Sequence, residues 1–310
     1  MTTSTQTIPH SRPWLTEADA EAVAAVVRSG YIAQGPETEA FEGEVAASLG
    51  VGYGVAVNSG TSALHLALRA HGVGSGDEVI IPSYVCTALY HAVCHSGATP
   101  VIVDSAERGY NLDAGAVHER LTARTKAVVV PHMFGFPAPV EEIVALGVPV
   151  LEDCALALGA KRRGRFVGTF GAAAICSFYA TKLLATGEGG MVLTNDSALV
   201  ERLRDLRTYD CRDELRVRYN CEMSDVHAAL GRSQLRRYTE FLERRQCIAD
   251  RYLHAFEGLP VELPEVRPGD EPVWYRFVMR LHMAVPWMIE RLAERGVCAE
   301  RPGYSPIHRY

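Results

Sequence analysis

"VAVNSGTSALHLALRA", residues 55–70, runs from a β-branched apolar segment through a small polar turn into a stretch with helical apolar spacing. A strand, a tight turn and a helix in so few residues form half of a strand–helix–strand unit. The unit repeats. "GVAVN" (54–58) is followed by "EVIIP" (78–82), "TPVIV" (99–103), "KAVVV" (126–130), "VPVLE" (148–152), "AAICSF" (173–178) and "MVLT" (191–194). Most of these runs are continuously apolar rather than alternating, the pattern of strands buried on both faces. Helical patterns separate them. The expected fold is therefore α/β: a large domain with a mostly parallel seven-stranded sheet flanked by helices.

Outside this block, helices are expected at Thr16–Ser29, from a Thr cap to a Gly stop, and at Glu37–Leu49. A charged helical stretch over 224–256 leads into a strand candidate, "VWYRFVMRL" (273–281), and a helix candidate, "AVPWMIERLAERG" (284–296). These suggest a large domain over 1–235 and a smaller C-terminal α+β domain over 236–310. Neither internal repeats nor low-complexity tracts are evident.

The 310 residues are 48% hydrophobic and 22% charged, an ordinary globular balance, with a formal net charge of −6. That sign argues against nucleic acid as a partner. No apolar run has the roughly 18–20 residues of a membrane span, and "MTTSTQTIPHSRPW" lacks the apolar centre of a signal peptide, so a cytoplasmic location is expected. The eight cysteines include no CxxC pair, which favours reduced core thiols over disulfides or zinc ligands. His91 and His95 have the spacing of two ligands on one helix face, but no third ligand is in view and no metal is expected.

Parallel α/β sheets bind ligands beyond the carboxyl ends of their strands, and three stretches bring reactive residues there. Gly60, Thr61 and Ser62 open a helix where free N–H groups and hydroxyls suit a phosphate, although the same residues also serve as plain helix caps. Glu152 and Asp153 end an apolar strand. One of them could meet a cationic ligand nitrogen while the other faces outward, or both could serve the next helix. Ser177 and Lys182 follow a further strand, before the turn "GEGG" (187–190). A lysine at the rim of a desolvated pocket is a competent amine nucleophile. A phosphate cup, a strand-end carboxylate and a lysine are together what pyridoxal 5'-phosphate requires.

At these residues the chain resembles the DegT/StrS family of nucleotide-sugar aminotransferases, within the fold-type I pyridoxal-phosphate superfamily. The resemblance extends nearly end to end, through "RSGYIAQGPETEAFE", "NSGTSALHLAL", "DEVIIPSY", "VPVLEDCALALGA", "VGTFGAAAICSFYATKLLATGEGGMVLTN" and "RYNCEMSDVHAALGRSQL". It implies that Lys182 is the Schiff-base lysine and proton carrier, and that Asp153 pairs with the pyridine nitrogen. It also places Gly60, Thr61, Ser62 and Ser177 in the phosphate cup. Asn220 would reach the phosphate of a neighbouring subunit, which implies a homodimer with shared sites. The implied reaction carries an amino group, with glutamate as donor, to a keto group of a nucleotide-linked sugar.

Three departures stand out. Leu156 replaces the family's usual Gln or His, and Cys86 replaces an aromatic over the cofactor ring. Relatives also continue for some tens of residues past the segment matching "RPGYSPIHRY", so the small domain is expected to be shortened. These features leave open a catalytically weak relative that binds without turnover. A sugar dehydratase is the other alternative, although such relatives carry histidine where this chain has Lys182.

Overall fold

The computed structural model describes residues 7–107, 109–301 and 304–310. Seven strands, β1 (Tyr53–Val57), β2 (Glu78–Pro82), β3 (Thr99–Val103), β4 (Thr125–Pro131), β5 (Val150–Asp153), β6 (Ala173–Ser177) and β7 (Gly190–Thr194), form one sheet in the order β1-β7-β6-β5-β4-β2-β3. Only β7 runs against the others, pairing antiparallel with β1 and β6. The remaining pairs are parallel.

The continuous apolar runs are explained by burial on both faces. Val79 and Ile81 of β2 and Ala127 and Val129 of β4 enter one core, while Ile80, Val128 and Val130 enter a second. Helices α1 (Glu17–Ser29), α2 (Pro36–Ser48), α3 (Gly60–Ala70), α4 (Ala88–His95), α5 (Ala114–Glu119), α6 (Val140–Val144) and α7 (Ser197–Arg207) flank the sheet. Thr16 caps α1 as expected, in a reciprocal box with Asp19.

Strand β1 lies at an edge, where unpaired backbone groups invite aggregation. Here side chains satisfy those of Ala56. Glu42 accepts from Ala56 N–H at 2.8 Å, and Arg207 donates to Ala56 C=O at 2.8 Å and to Glu42 at 2.7 Å.

The helical stretch 224–256 is corrected in one respect: it is two helices, α8 (Asp225–Leu235) and α9 (Tyr238–Phe256). No Gly or Pro marks the break. Tyr238 instead buries its ring and donates to Leu158 C=O at 2.7 Å, while Arg237 reaches Asp19 at 2.6 Å. Asp225, at the start of α8, accepts from Gly35 N–H, Glu37 N–H and Thr38 N–H at 2.8–3.1 Å. It thereby caps α2, whose own N-cap is a glycine without a side chain to do so.

The strand expected at 273–281 is also corrected. Only Arg280–Leu281 pair, with Val261–Glu262. Val273 N–H and Arg276 N–H are drawn instead to the carbonyls of Gly135 and Phe134. Trp274 adopts φ +50°, outside strand geometry, and donates its indole N–H to Gln246 at 2.8 Å. The helix expected at 284–296 is α10 (Val285–Ala293).

Candidate active site

The carboxyl ends of β1, β5 and β6 and the start of the antiparallel β7 meet at one edge of the sheet. They surround a cavity of about 290 Å³. Gly60, Thr61, Asp153, Ser177 and Lys182 all line it. Ser62 stands just behind: its N–H donates to Ser59 Oγ at 3.0 Å, and the two hydroxyls bond at 2.9 Å. Asn220 lies elsewhere, exposed on the surface, with its carbonyl accepting from the Asn58 amide at 3.3 Å.

The cup at the start of α3 depends on close backbone approach. A Cβ at Gly60 would lie 2.7 Å from Ser177 Cβ, and one at Gly190 would lie 2.4 Å from the Ser59 carbonyl. Glycine at these positions lets β6, β7 and the helix N-terminus converge, leaving α3's first N–H groups at the cavity.

Asp153 and Glu152 are adjacent on β5, so their side chains take opposite sides of the sheet. Asp153 faces the cavity, and its Oδ1 accepts from Ala155 N–H at 2.9 Å. Burial raises its pKa above the usual aspartate value, against the opposing pull of the Ala155 N–H and the charge of Lys182. A carboxyl of this kind gains strongly from a cationic partner.

Glu152 does not face outward, which corrects the expectation for the second acid. It is inaccessible to solvent and accepts from Gly168, Phe170 and Gly171 N–H, each at 2.7 Å. His132 Nδ1 accepts from Ala138 N–H, which places the ring proton on Nε2 for donation to Glu152 at 3.1 Å. Burial alone would raise this carboxyl, but the His132 hydrogen bond and the Gly168 and Gly171 N–H groups hold it below the usual glutamate value.

Lys182 sits in a loop closed by Thr186 N–H to Phe178 C=O at 2.8 Å and Ala180 N–H to Gly187 C=O at 3.0 Å. Its own N–H donates to Tyr179 C=O at 2.8 Å, and its Nζ lies 5.6 Å from the centre of the Tyr275 ring. Leu156 and Cys86 both line the cavity. So do Tyr179, Glu188 and Tyr304, which the sequence reading did not assign. Tyr179 and Glu188 lie close to Lys182 in the chain, whereas the signal for Tyr304 is tertiary, since its segment is far along the chain from the other lining residues.

The sequence model of the DegT/DnrJ/EryC1/StrS aminotransferases matches residues 13–310. The chain belongs to this family. The dTDP-3-amino-3,4,6-trideoxy-alpha-D-glucose transaminase of Streptomyces venezuelae is 41% identical over 273 residues, 85% of this chain and 72% of that protein. The crystal structure of S. venezuelae DesV in complex with a ketimine intermediate superimposes with a TM-score of 0.91 at 36% identity, covering 98% of this chain and 86% of DesV. The PLP form of the putative sugar aminotransferase Spr1654 of Streptococcus pneumoniae gives 0.92 at 28% identity, over 98% of this chain and 86% of that one.

This DegT/DnrJ/EryC1/StrS chain is a pyridoxal-phosphate-dependent aminotransferase. Its cavity fits the cofactor. Free helix N–H groups beside three hydroxyls suit the phosphate, the desolvated Asp153 suits a protonated ring nitrogen, and Lys182 is the amine at the same cavity. A volume of about 290 Å³ is at the lower limit of small-ligand sites, roughly 300–1,000 Å³. Among the described residues, no group of His, Cys, Asp and Glu is arranged to hold a metal ion, and no helix is long and apolar enough to cross a membrane.

Proposed function

We propose that this aminotransferase moves an amino group from glutamate to the keto group of a nucleotide-linked sugar. One observation carries the catalytic part: Lys182, Asp153 and the open end of α3 line a single cavity, each brought there by a different strand. The sugar substrate draws on what the relatives act on. Pyridoxal phosphate, when bound, supplies an electron sink for the charge left when a C–H bond beside nitrogen breaks.

In this reading Asp153 keeps the ring nitrogen protonated, and the ion pair offsets the cost of holding an ionised carboxylate there. The N–H groups of Gly60 and Thr61, with the hydroxyls of Thr61, Ser62 and Ser177, hold the phosphate. Lys182 Nζ would take a proton from the donor carbon in the first half-reaction and deliver one to the acceptor carbon in the second. The closed loop around Lys182 restricts its backbone and limits the reorganisation that each transfer requires.

A nucleotide-linked sugar is larger than the cavity, so further walls are needed. We assign them to a second copy of the chain in a homodimer, with Asn220 reaching the partner's phosphate site. Exposed Tyr31, Ile32, Leu215 and Val217 favour such an interface. We retain 1–235 and 236–310 as the domain division, supported by the helix break at Arg236–Arg237. A cytoplasmic location agrees with the eight free cysteines.

Visible absorbance of the purified protein with added pyridoxal phosphate tests the reading. The wild type should show a band that L-glutamate bleaches, and Lys182→Ala should lack it. A band that glutamate leaves intact would overturn the choice of donor. A band retained in Lys182→Ala would overturn the lysine's role.

A further inference from the structure

The cavity walls between Asp153 and the helix cup are largely aliphatic, from Leu64, Val85, Leu156 and Ile175. Tyr304 differs from them in kind and in origin. It comes from the segment 304–310, which contributes no strand to the sheet. Three contacts fix this segment on the turn after β2. Ile307 N–H donates to Ser83 C=O at 2.8 Å, Ser83 Oγ and His308 Nδ1 hydrogen-bond at 2.5 Å, and the Ile307 side chain is buried in the main core.

The Tyr304 ring is also braced from behind. Tyr84 packs edge-on against it, with centroids 6.2 Å apart and planes at 77°. Tyr84 in turn rests on Tyr110 and Phe134, at 5.7 and 6.4 Å. Burial pushes the Tyr304 phenol up, with Cys86, Tyr275 and Asp153 adding to the effect, so the ring stays neutral at physiological pH. Tyr179, the other aromatic residue lining the cavity, is 47% exposed. Tyr304 is thus the cavity's partly buried, preorganised aromatic surface, beside the small side chain of Cys86.

We propose that Tyr304 is a cofactor-binding residue whose ring forms the aromatic wall for the pyridine ring of pyridoxal phosphate, held in place by the anchored segment 304–310. Two aromatic rings in offset or edge contact attract beyond the area they bury. A ring already braced by Tyr84 and by the Ser83–His308 bond loses little freedom on making that contact. The inference rests on placing the cofactor in this cavity.

The test is the dissociation constant of pyridoxal phosphate for the full-length chain, measured by equilibrium dialysis on the wild type, Tyr304→Phe, Tyr304→Leu, His308→Ala, Asp153→Asn and Lys182→Ala. Tyr304→Phe should bind within about twofold of wild type, and Tyr304→Leu roughly five- to tenfold more weakly. His308→Ala, which frees the anchor and keeps the ring, should fall between them. A thermal melt of each apo variant separates lost folding from lost contact. If Tyr304→Leu is folded and binds like wild type while Asp153→Asn and Lys182→Ala bind weakly, the role of Tyr304 is refuted and the site stands. If Tyr304→Phe is as weak as Tyr304→Leu, the hydroxyl rather than the ring makes the contact, and the proposal also fails. If neither Asp153→Asn nor Lys182→Ala weakens binding, the placement of the cofactor is itself wrong.

Discussion

Two parts of the chain build the same cavity by opposite means. From β1 to α7, most strands of the seven-stranded sheet are buried on both faces, and Val55, Leu66, Ile80, Ile81, Val129 and Leu151 have no accessible surface. Each such side chain contributes about 1.5–3 kcal/mol by leaving water. From residue 257 onward the strands are two residues long, and α10 has no buried residue although its apolar side chains share one face. That part is held to the sheet body by separate contacts, through Val273, Trp274, Tyr275 and Ile307. The sheet body fixes the position of the chemistry, and the later segment closes a wall over it.

Glu152→Ala should separate the two parts most sharply. It removes a carboxylate that serves three backbone N–H groups and His132, and should cost about 3–5 kcal/mol in urea unfolding. A loss below about 1 kcal/mol would mean that the loop 168–171 finds other partners. The effect also has a pH sign. Because the folded state holds Glu152 below its ordinary value, its contribution is present above the usual glutamate pKa and is lost as pH falls through the depressed one.

Acid sensitivity should sharpen the contrast next, since His65 lies on α3 in the sheet body. Burial first, then the charges of His95 and Arg69, lower its pKa from 6.5 to about 4. On acidification the unfolded chain takes up this proton before the folded one does. Stability is therefore full above about pH 6.5 and declines toward pH 4, by roughly 3 kcal/mol at most. His65→Gln should flatten the stability–pH curve in that window, and an unchanged slope would assign the acid sensitivity to other groups. Ile289→Ala on α10 should have the smallest effect, under about 1 kcal/mol, against about 2–5 kcal/mol for Leu151→Ala in β5. Equal costs in thermal or urea unfolding would show that both parts are packed alike, and the comparison would fail.

The seven strands were legible because each is a local apolar run with β-branched residues, and double burial, as in β2 and β7, leaves that mark whatever the neighbours. Thr16 was legible as a cap for the same reason of locality. The break at Arg236–Arg237 was not, because no breaker residue stands there and the turn is set by Tyr238 reaching Leu158. The run 273–281 has strand composition, yet its Val273 and Arg276 N–H groups bond the loop 133–136 rather than a neighbouring strand. Among the residues lining the cavity, Lys182, Asp153, Gly60 and Thr61 were legible as residue types at strand ends. Tyr304 was not, since nothing near it in the chain marks it as a wall.

By itself, then, the sequence determined the sheet, its helical cover, the family and the kinds of residue offered for chemistry. Those depend on periodicity and on short motifs. Only the tertiary structure decided that Asp153 and not Glu152 faces the cavity, that Asp225 caps a helix beginning about 190 positions earlier, and that Tyr304 lines the same cavity as Cys86. An alternating strand places neighbouring side chains on opposite faces but leaves open which face holds the cavity. That choice, like the distant cap and the aromatic wall, is made by contacts between segments that the chain order keeps apart.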